Sequence, residues 1–403
     1  MLEHSQSTAP TLGRIAAHGV LVAGSGSGAL RVLHLHSGNM MGGIESMLIT
    51  LAECMHLCPD LEQSFALTFD STFAAKLRAA KATVHLLPQV RLRHLPSIYQ
   101  SRRQLRMLLR EFDFDVVISH SPWIQLIFGD VVRNARIPLV FWMHGAFDGH
   151  WLQKLASFHR PDFAICNSIY TRSTLDRCYP NVPRKIIRYP VSLAVSKTDR
   201  QEIRSALGIK PEEVVVFTAA RMEPWKGHHN LLRAAGKLTV STPWRVLIAG
   251  APNTPAETAY FESLKREATS LGVADRVEFL GFRTDVPALM AACDIHCQPN
   301  DLPEPFGIVF VEALQAGVPI VTFAMGGAQE ILDSNTGLLV ERGNIDALAH
   351  ALSRLIEDRT VRSQLGSAGP ARAYALCDPG HQMRMLTDTL RSVAKSRAGA
   401  AIG

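Results

Sequence analysis

Residues 294–324 read "DIHCQPNDLPEPFGIVFVEALQAGVPIVTFA". A short apolar run closes on Pro299, and a polar loop follows. "FGIVFVEALQAG" is then apolar nearly all round until Gly317, with Pro319 behind it. A glycine stop backed by a proline predicts the end of a buried helix. The apolar runs on either side, "DIHCQP" and "PIVTFA", predict strands covered on both faces, as in a parallel sheet. Two carboxylates, Glu304 and Glu312, stand eight positions apart in this uncharged setting, where an unpaired buried charge is costly.

Outward from this unit the alternation repeats over most of the chain. Candidate strands are "LRVLHLH" (30–36), "DVVISH" (115–120), "PLVFWMH" (138–144) and "FAICN" (163–167), then "VVVFTAA" (214–220), "RVLIAG" (245–250) and "RVEFLG" (276–281). Longer amphipathic segments separate them. The fold class is therefore α/β, with enough strands for two doubly wound parallel sheets. Neither periodicity holds in "YPVSLAVSKTD" (189–199), so one domain is expected over 30–190 and another over 191–380. The helical segment 381–397 is expected to pack back on the first. Residues 1–29, rich in Ser, Gly and Ala, are read as a disordered tail. Their "GSGSG" (24–28) precedes its strand and is a linker, since a phosphate-binding loop follows one.

A chain of 403 residues exceeds one usual domain, and 47% hydrophobic against 19% charged residues excludes a disordered protein. The net charge of +6 permits a polyanionic ligand without requiring one, and no nucleic-acid partner is expected. Seven cysteines form no CxxC pair, and Cys54/Cys58 with Cys293/Cys297 are spaced too widely for a zinc knuckle. No metal is expected. "DFD" (113–115) has the outline of a metal-holding pair but lies at the start of a strand, away from the crevice. With no run of 18 apolar residues, the protein is expected to be soluble and cytoplasmic.

In doubly wound sheets ligands bind beyond the carboxyl ends of the strands. "RMEPWKGHHNLL" follows one such strand, placing Arg221 and Lys226 where a helix begins, an arrangement suited to an anion. Gly42 and Gly43 open a helix after the first strand, with Glu45 in its first turn, and Gly326 and Gly327 open another, with Glu330 in its first turn. His144 ends its strand facing the crevice, and Glu304 lies in the loop after another. Glu312 is the only charge on its helix. Sugar and ribose hydroxyls donate to carboxylates where water is excluded. Cations, Gly-Gly helix starts and hydroxyl-binding carboxylates together describe a nucleoside diphosphate sugar.

"EPFGIVFVEALQAGVPIVTFAMGGAQEIL", with "ARMEPWKG" upstream, resembles the retaining glycosyltransferases of family 4, over roughly residues 30–395. That resemblance implies the GT-B fold, two facing Rossmann-like domains with a cleft between them. It implies a nucleotide-sugar donor, no prosthetic group and a glycan or lipid-linked acceptor. It further implies that Arg221 and Lys226 neutralise the diphosphate and that Glu304 binds the sugar. Glu312, with the Phe306–Gly307 turn before it, would serve the ribose end. His144 would lie beside the transferred sugar, and Gly42 and Gly43 would approach the diphosphate and the acceptor from the opposite domain. Gly326 and Gly327 would join the donor site, and Gly281 and Phe282 would hold the base through main-chain groups. A disaccharide phosphorylase, a nucleotide-sugar epimerase and a non-catalytic nucleotide-sugar-binding module are alternatives.

"RLRHLPSIYQSRRQLRMLLREF" (91–112) carries six arginines and no acid before Glu111. Leu105, Leu108, Leu109 and Phe112 share one helical face. The basic remainder is either a solvated face or an attraction to anionic lipid on the inner face of a membrane, where each basic residue adds about 1 kcal/mol.

Overall fold

A computed structural model describes residues 28–91, 93–191 and 199–400, with side chains to residue 396. The tail expected at 1–29 and the break expected at 189–199 fall largely outside the described residues.

Two parallel sheets are present. The first holds β1 (Leu30–His36), β2 (Leu61–Leu67), β3 (Thr83–Leu86), β4 (Val116–Ser119), β5 (Leu139–Met143), β6 (Phe163–Cys166) and β7 (Arg184–Ile186). Its strand order is β3-β2-β1-β4-β5-β6-β7. The second holds β8 (Val214–Ala219), β9 (Trp244–Ala249), β10 (Val277–Gly281), β11 (Ile295–Cys297), β12 (Ile320–Phe323) and β13 (Gly337–Val340), in the order β10-β9-β8-β11-β12-β13. Four strands, β2, β3, β7 and β13, go beyond those read from the sequence.

Every residue of β4, β5 and β12 is buried, because helices cover both faces and leave no strand face to water. Each sheet reverses its order beside its first strand, at β1/β4 and at β8/β11. The loops leaving those strands splay apart and leave a crevice at the carboxyl ends.

The last helix, Pro379–Ala400, lies against β1 and β4 of the first sheet. Its Met383, Leu386 and Leu390 are fully buried, each contributing about 1.5–3 kcal/mol of apolar burial. Arg391 Nη2 is 3.0 Å from Asp60 Oδ2. The chain thus passes between the sheets twice. At the crossing the Val191 amide donates to Cys377 O at 3.2 Å.

Candidate functional site

The loop after β8 is locked against the loop after β11. Gly227 has φ +73, and a Cβ there would stand 1.8 Å from Pro299 O, so only glycine fits. This contact sets Lys226 facing the second loop. Its Nζ lies 2.7 Å from Glu304 Oε2, which also accepts from Asn300 Nδ2 at 2.9 Å. The two side chains are only 12% and 14% exposed. Trp225 lies under the ammonium, 3.9 Å from ring centre to Nζ. Arg221 is exposed and pairs with Glu223 at 2.8 Å, and Glu223 accepts from Trp225 Nε1 at 2.7 Å. Arg221, Lys226 and Glu304 therefore belong to one connected cluster. Glu223, Trp225 and Asn300 were not read from the sequence, although "MEPW" and "QPN" border the residues that were.

Gly307, at φ +101, caps the helix Ile308–Gln315 that carries Glu312. Glu312 is partly buried, and burial pushes its carboxyl above the usual range. Among the described residues nothing hydrogen-bonds it. Phe306 is buried, with its ring 4.8 Å from that of Tyr189 in the other half of the molecule. The start of the helix Gly43–Glu53 comes close on the same side: a Cβ on Gly43 would lie 3.6 Å from Ile308 Cδ1. A Cβ on Gly42 would lie 3.3 Å from Glu45 Oε2, and the Glu45 carboxylate accepts from buried His36 Nε2 at 2.7 Å.

The glycines after β12 have a packing reason of their own. A Cβ on Gly326 would stand 2.5 Å from Glu304 O, and one on Gly327 would stand 2.3 Å from Phe306 O. Their bareness lets this turn press on the backbone carrying Glu304. Glu330, in the first turn of the helix these glycines open, has its partners in the other half of the molecule. It accepts from the Ile169 and Tyr170 amides at 2.9 and 2.8 Å and stands 3.6 Å from Arg188 Nη2. Two orphan amides of a helix start thus take a carboxylate from the other sheet's loops. Ser168 Oγ, next to them, donates to Pro305 O at 2.6 Å. Gly281 ends β10 at φ +66 with open space around it, and Phe282 is 75% exposed.

His144 is partly buried at the end of β5, bonded on both sides. Its Nε2 is 2.9 Å from His120 Nδ1 and its Nδ1 is 2.5 Å from Tyr189 Oη. Burial holds it well below the usual histidine range, and His36 and His34 add to the effect. His34, His36 and His120 were not read as site residues. The signal was there in "LHLH", "ISH" and "WMH", three strands that each end in histidine.

Asp115 of "DFD", at the entry of β4, accepts from the Arg31 amide of β1 at 2.8 Å, which ties the two strands together at that end. All seven cysteines are free. Among the described residues no group of three or more His, Cys, Asp or Glu is placed to hold a metal ion.

Two family models match the chain: "Glycosyl transferases group 1" over residues 199–372 and "Glycosyltransferase Family 4" over residues 41–218. The D-inositol 3-phosphate glycosyltransferase of Mycobacterium marinum is 33% identical over 229 residues, 56% of this chain and 43% of that one. The enzyme of the same name from Corynebacterium aurimucosum is 30% identical over 293 residues, 64% of this chain and 67% of that one. With the mycobacterial relatives the match spans less than half of their length. The crystal structure of Anabaena HepE in complex with UDP and glucose superimposes with a TM-score of 0.79 at 26% identity, over 90% of this chain and 100% of that one.

Proposed function

Because this chain belongs to the glycosyl transferases of group 1 and has their GT-B fold of two facing α/β domains, we propose that it moves a hexose-type sugar from a UDP- or GDP-sugar to a hydroxyl of a glycan or glycolipid. The observation that supports this most directly is the meeting of Lys226 and Glu304 at 2.7 Å, between the loops that follow β8 and β11. A cation for the diphosphate and a carboxylate for the sugar then stand side by side.

On this reading Arg221, Lys226 and the amides opening the helix His228–Ala235 meet the diphosphate, and Glu304 takes sugar hydroxyls. Glu312, without a partner among the described residues, takes the ribose hydroxyls that would satisfy it. Gly281 and Phe282 face the base, and Gly42 and Gly43 close over the phosphates. The anomeric carbon–oxygen bond breaks through an oxocarbenium-like state, and the acceptor oxygen attacks from the face that the diphosphate leaves. The departing phosphate oxygen takes the acceptor's proton, so the anomeric configuration is retained. The protein's contribution is fixed positive charge aimed at the leaving group, in place of a metal ion. A thermal-shift panel of UDP-, GDP- and ADP-sugars, followed by transfer assays with the stabilising donor, tests this. No stabilisation by any of them would count against it.

The helix Leu95–Glu111 supports an acceptor carried on a membrane. Leu105, Leu108 and Leu109 are buried, Phe112 is partly buried, and Arg102 is tied to Asp130 and to Ile127 O. Leu95, Tyr99 and Met107 are exposed on the outer face with Arg103 and Arg110, the mixture that suits an anionic lipid surface. Among the described residues no helix is long and apolar enough to cross a membrane. Cosedimentation with anionic vesicles at low and high salt tests the contact. Absence of binding at low salt would end it.

A further inference from the structure

A single file of side chains crosses the first sheet, one from each neighbouring strand. Gln63 on β2 meets His34 on β1, with Oε1 3.0 Å from Nε2. His34 Nδ1 is 2.9 Å from Nε2 of His120, just past β4, and His120 Nδ1 is 2.9 Å from Nε2 of His144, just past β5. Tyr189, past β7, closes the file on His144 Nδ1 at 2.5 Å. Asn167, past β6, donates through Nδ2 to Tyr189 Oη at 2.9 Å and to His144 O at 3.2 Å. Gln63, His34, His120 and Asn167 are buried.

The partners at its two ends assign a direction to the protons in this file. Gln63 Nε2 faces Leu51 O at 3.4 Å, and a backbone carbonyl only accepts, so the Gln63 oxygen must face His34. His34 then donates from Nε2 and accepts at Nδ1. By the same step His120 and His144 each donate from Nε2 and accept at Nδ1. The far end agrees independently. Asn167 turns its amide to His144 O and Tyr189, so the tyrosine oxygen accepts from Asn167 and donates to His144. Both ends are met by neutral Nε2–H imidazoles throughout, and a second proton on His34 or His120 would set two N–H groups against each other, while one on His144 would force the Tyr189 hydroxyl to turn from donor to acceptor. Burial holds His34 down to about 3 and depresses His120 and His144 well below the usual range. The other titratable groups facing the file are His36, paired with Glu45, and Glu304, which stands near Tyr189.

We infer that Gln63, His34 and His120 are positioning residues that keep His144 uncharged and in one tautomer, so that no cation arises beside a sugar that itself becomes positive. The inference rests on the reading that His144 borders the transferred sugar. The file is not a proton relay, because the amide of Gln63 cannot pass a proton on. The three imidazole N–H groups all point away from Tyr189, so the negative end of their aligned dipoles lies on the Tyr189 side, the sign that favours an oxocarbenium there.

The test is histidine-labelled ¹⁵N NMR of the full chain, with His34, His120 and His144 assigned by substitution. In the wild type each should show an Nε2–H tautomer that does not titrate down to about pH 5, well past the ordinary value near 6.5. Gln63→Glu ends the file in a carboxylate that draws a proton onto His34, and His120 and His144 must then turn over to Nδ1–H. His120→Leu cuts the file, and His120→Gln, which donates and accepts like the imidazole, restores it. With the donor sugar, kcat should fall about 10²-fold in Gln63→Glu and His120→Leu with KM little changed, and recover in His120→Gln. A wild-type His144 that titrates near its ordinary value, or that ignores Gln63→Glu, overturns the inference. So does a tautomer change that leaves kcat untouched. Failure of the wild type to transfer any sugar would count against the reading of the site, and the NMR arm would still judge the file.

Discussion

Lys226 and Glu304, 78 residues apart, form a hydrogen-bonded ion pair at 2.7 Å in which neither side chain is more than 14% exposed. Each neutralises the other. On the proposed function, an arriving diphosphate would compete for the ammonium and sugar hydroxyls would then take over the carboxylate. Lys226→Ala removes the charge from the leaving group and strands Glu304, so kcat should fall by about 10²–10³, the loss typical of one transition-state donor. Steady-state kinetics with the preferred donor measures it, and turnover within a few-fold of wild type would exclude the role.

Glu312 makes a prediction about pH. Burial raises its carboxyl, so the folded chain holds that proton more tightly than the unfolded chain, whose glutamates titrate near about 4.3. Stability from this group is then fully present below that value and declines as pH rises through the raised one. Glu312→Gln should leave Tm unchanged at about pH 4 and raise it at about pH 7.5. The same change should raise the donor KM about 10-fold by removing a charge-assisted hydrogen bond. Equal Tm shifts at both pH values would refute the assignment.

Glu330 fastens the two halves through the Ile169 and Tyr170 amides. Glu330→Ala should cost about 1 kcal/mol, the usual worth of a helix cap. It should also enlarge the radius of gyration of the ligand-free protein in small-angle scattering. Superimposable scattering curves for variant and wild type would show that this carboxylate does not hold the halves together.

Gly227 and Gly281 share a positive φ but differ in surroundings. A Cβ at Gly227 meets Pro299 O at 1.8 Å, whereas one at Gly281 meets nothing within 4 Å. Gly227→Ala should lose about 3 kcal/mol or more, from strain plus overpacking, and Gly281→Ala about 1–2 kcal/mol. Chemical denaturation of the two variants checks the order, which open space alone decides.

The strands legible in the sequence were those apolar throughout, such as "DVVISH" and "VVVFTAA", because covering both faces demands it. β2 escaped because "LEQSFAL" breaks that pattern: Glu62 points to water and Gln63 is buried for its hydrogen bonds. β3, β7 and β13 lie at sheet edges and are three or four residues long, too short to show a period. In the site, Lys226 and Glu304 were legible because each follows a strand. The histidine file was not. Its members are consecutive only in strand order, and no spacing along the chain encodes which strands lie side by side. The partners of Glu330 were not legible because its sequence setting, a Gly-Gly turn before a helix, says nothing of what faces it.

The bond from Val191 to Cys377 pins together the two places where the chain passes between the halves. Two pins at one spot behave like a door with its hinges set close: the leaves swing about a single axis and resist sliding or corkscrewing. If the chain transfers sugar as proposed, substrate would come and go by that swing, and the opposing lips would return to one alignment before each transfer.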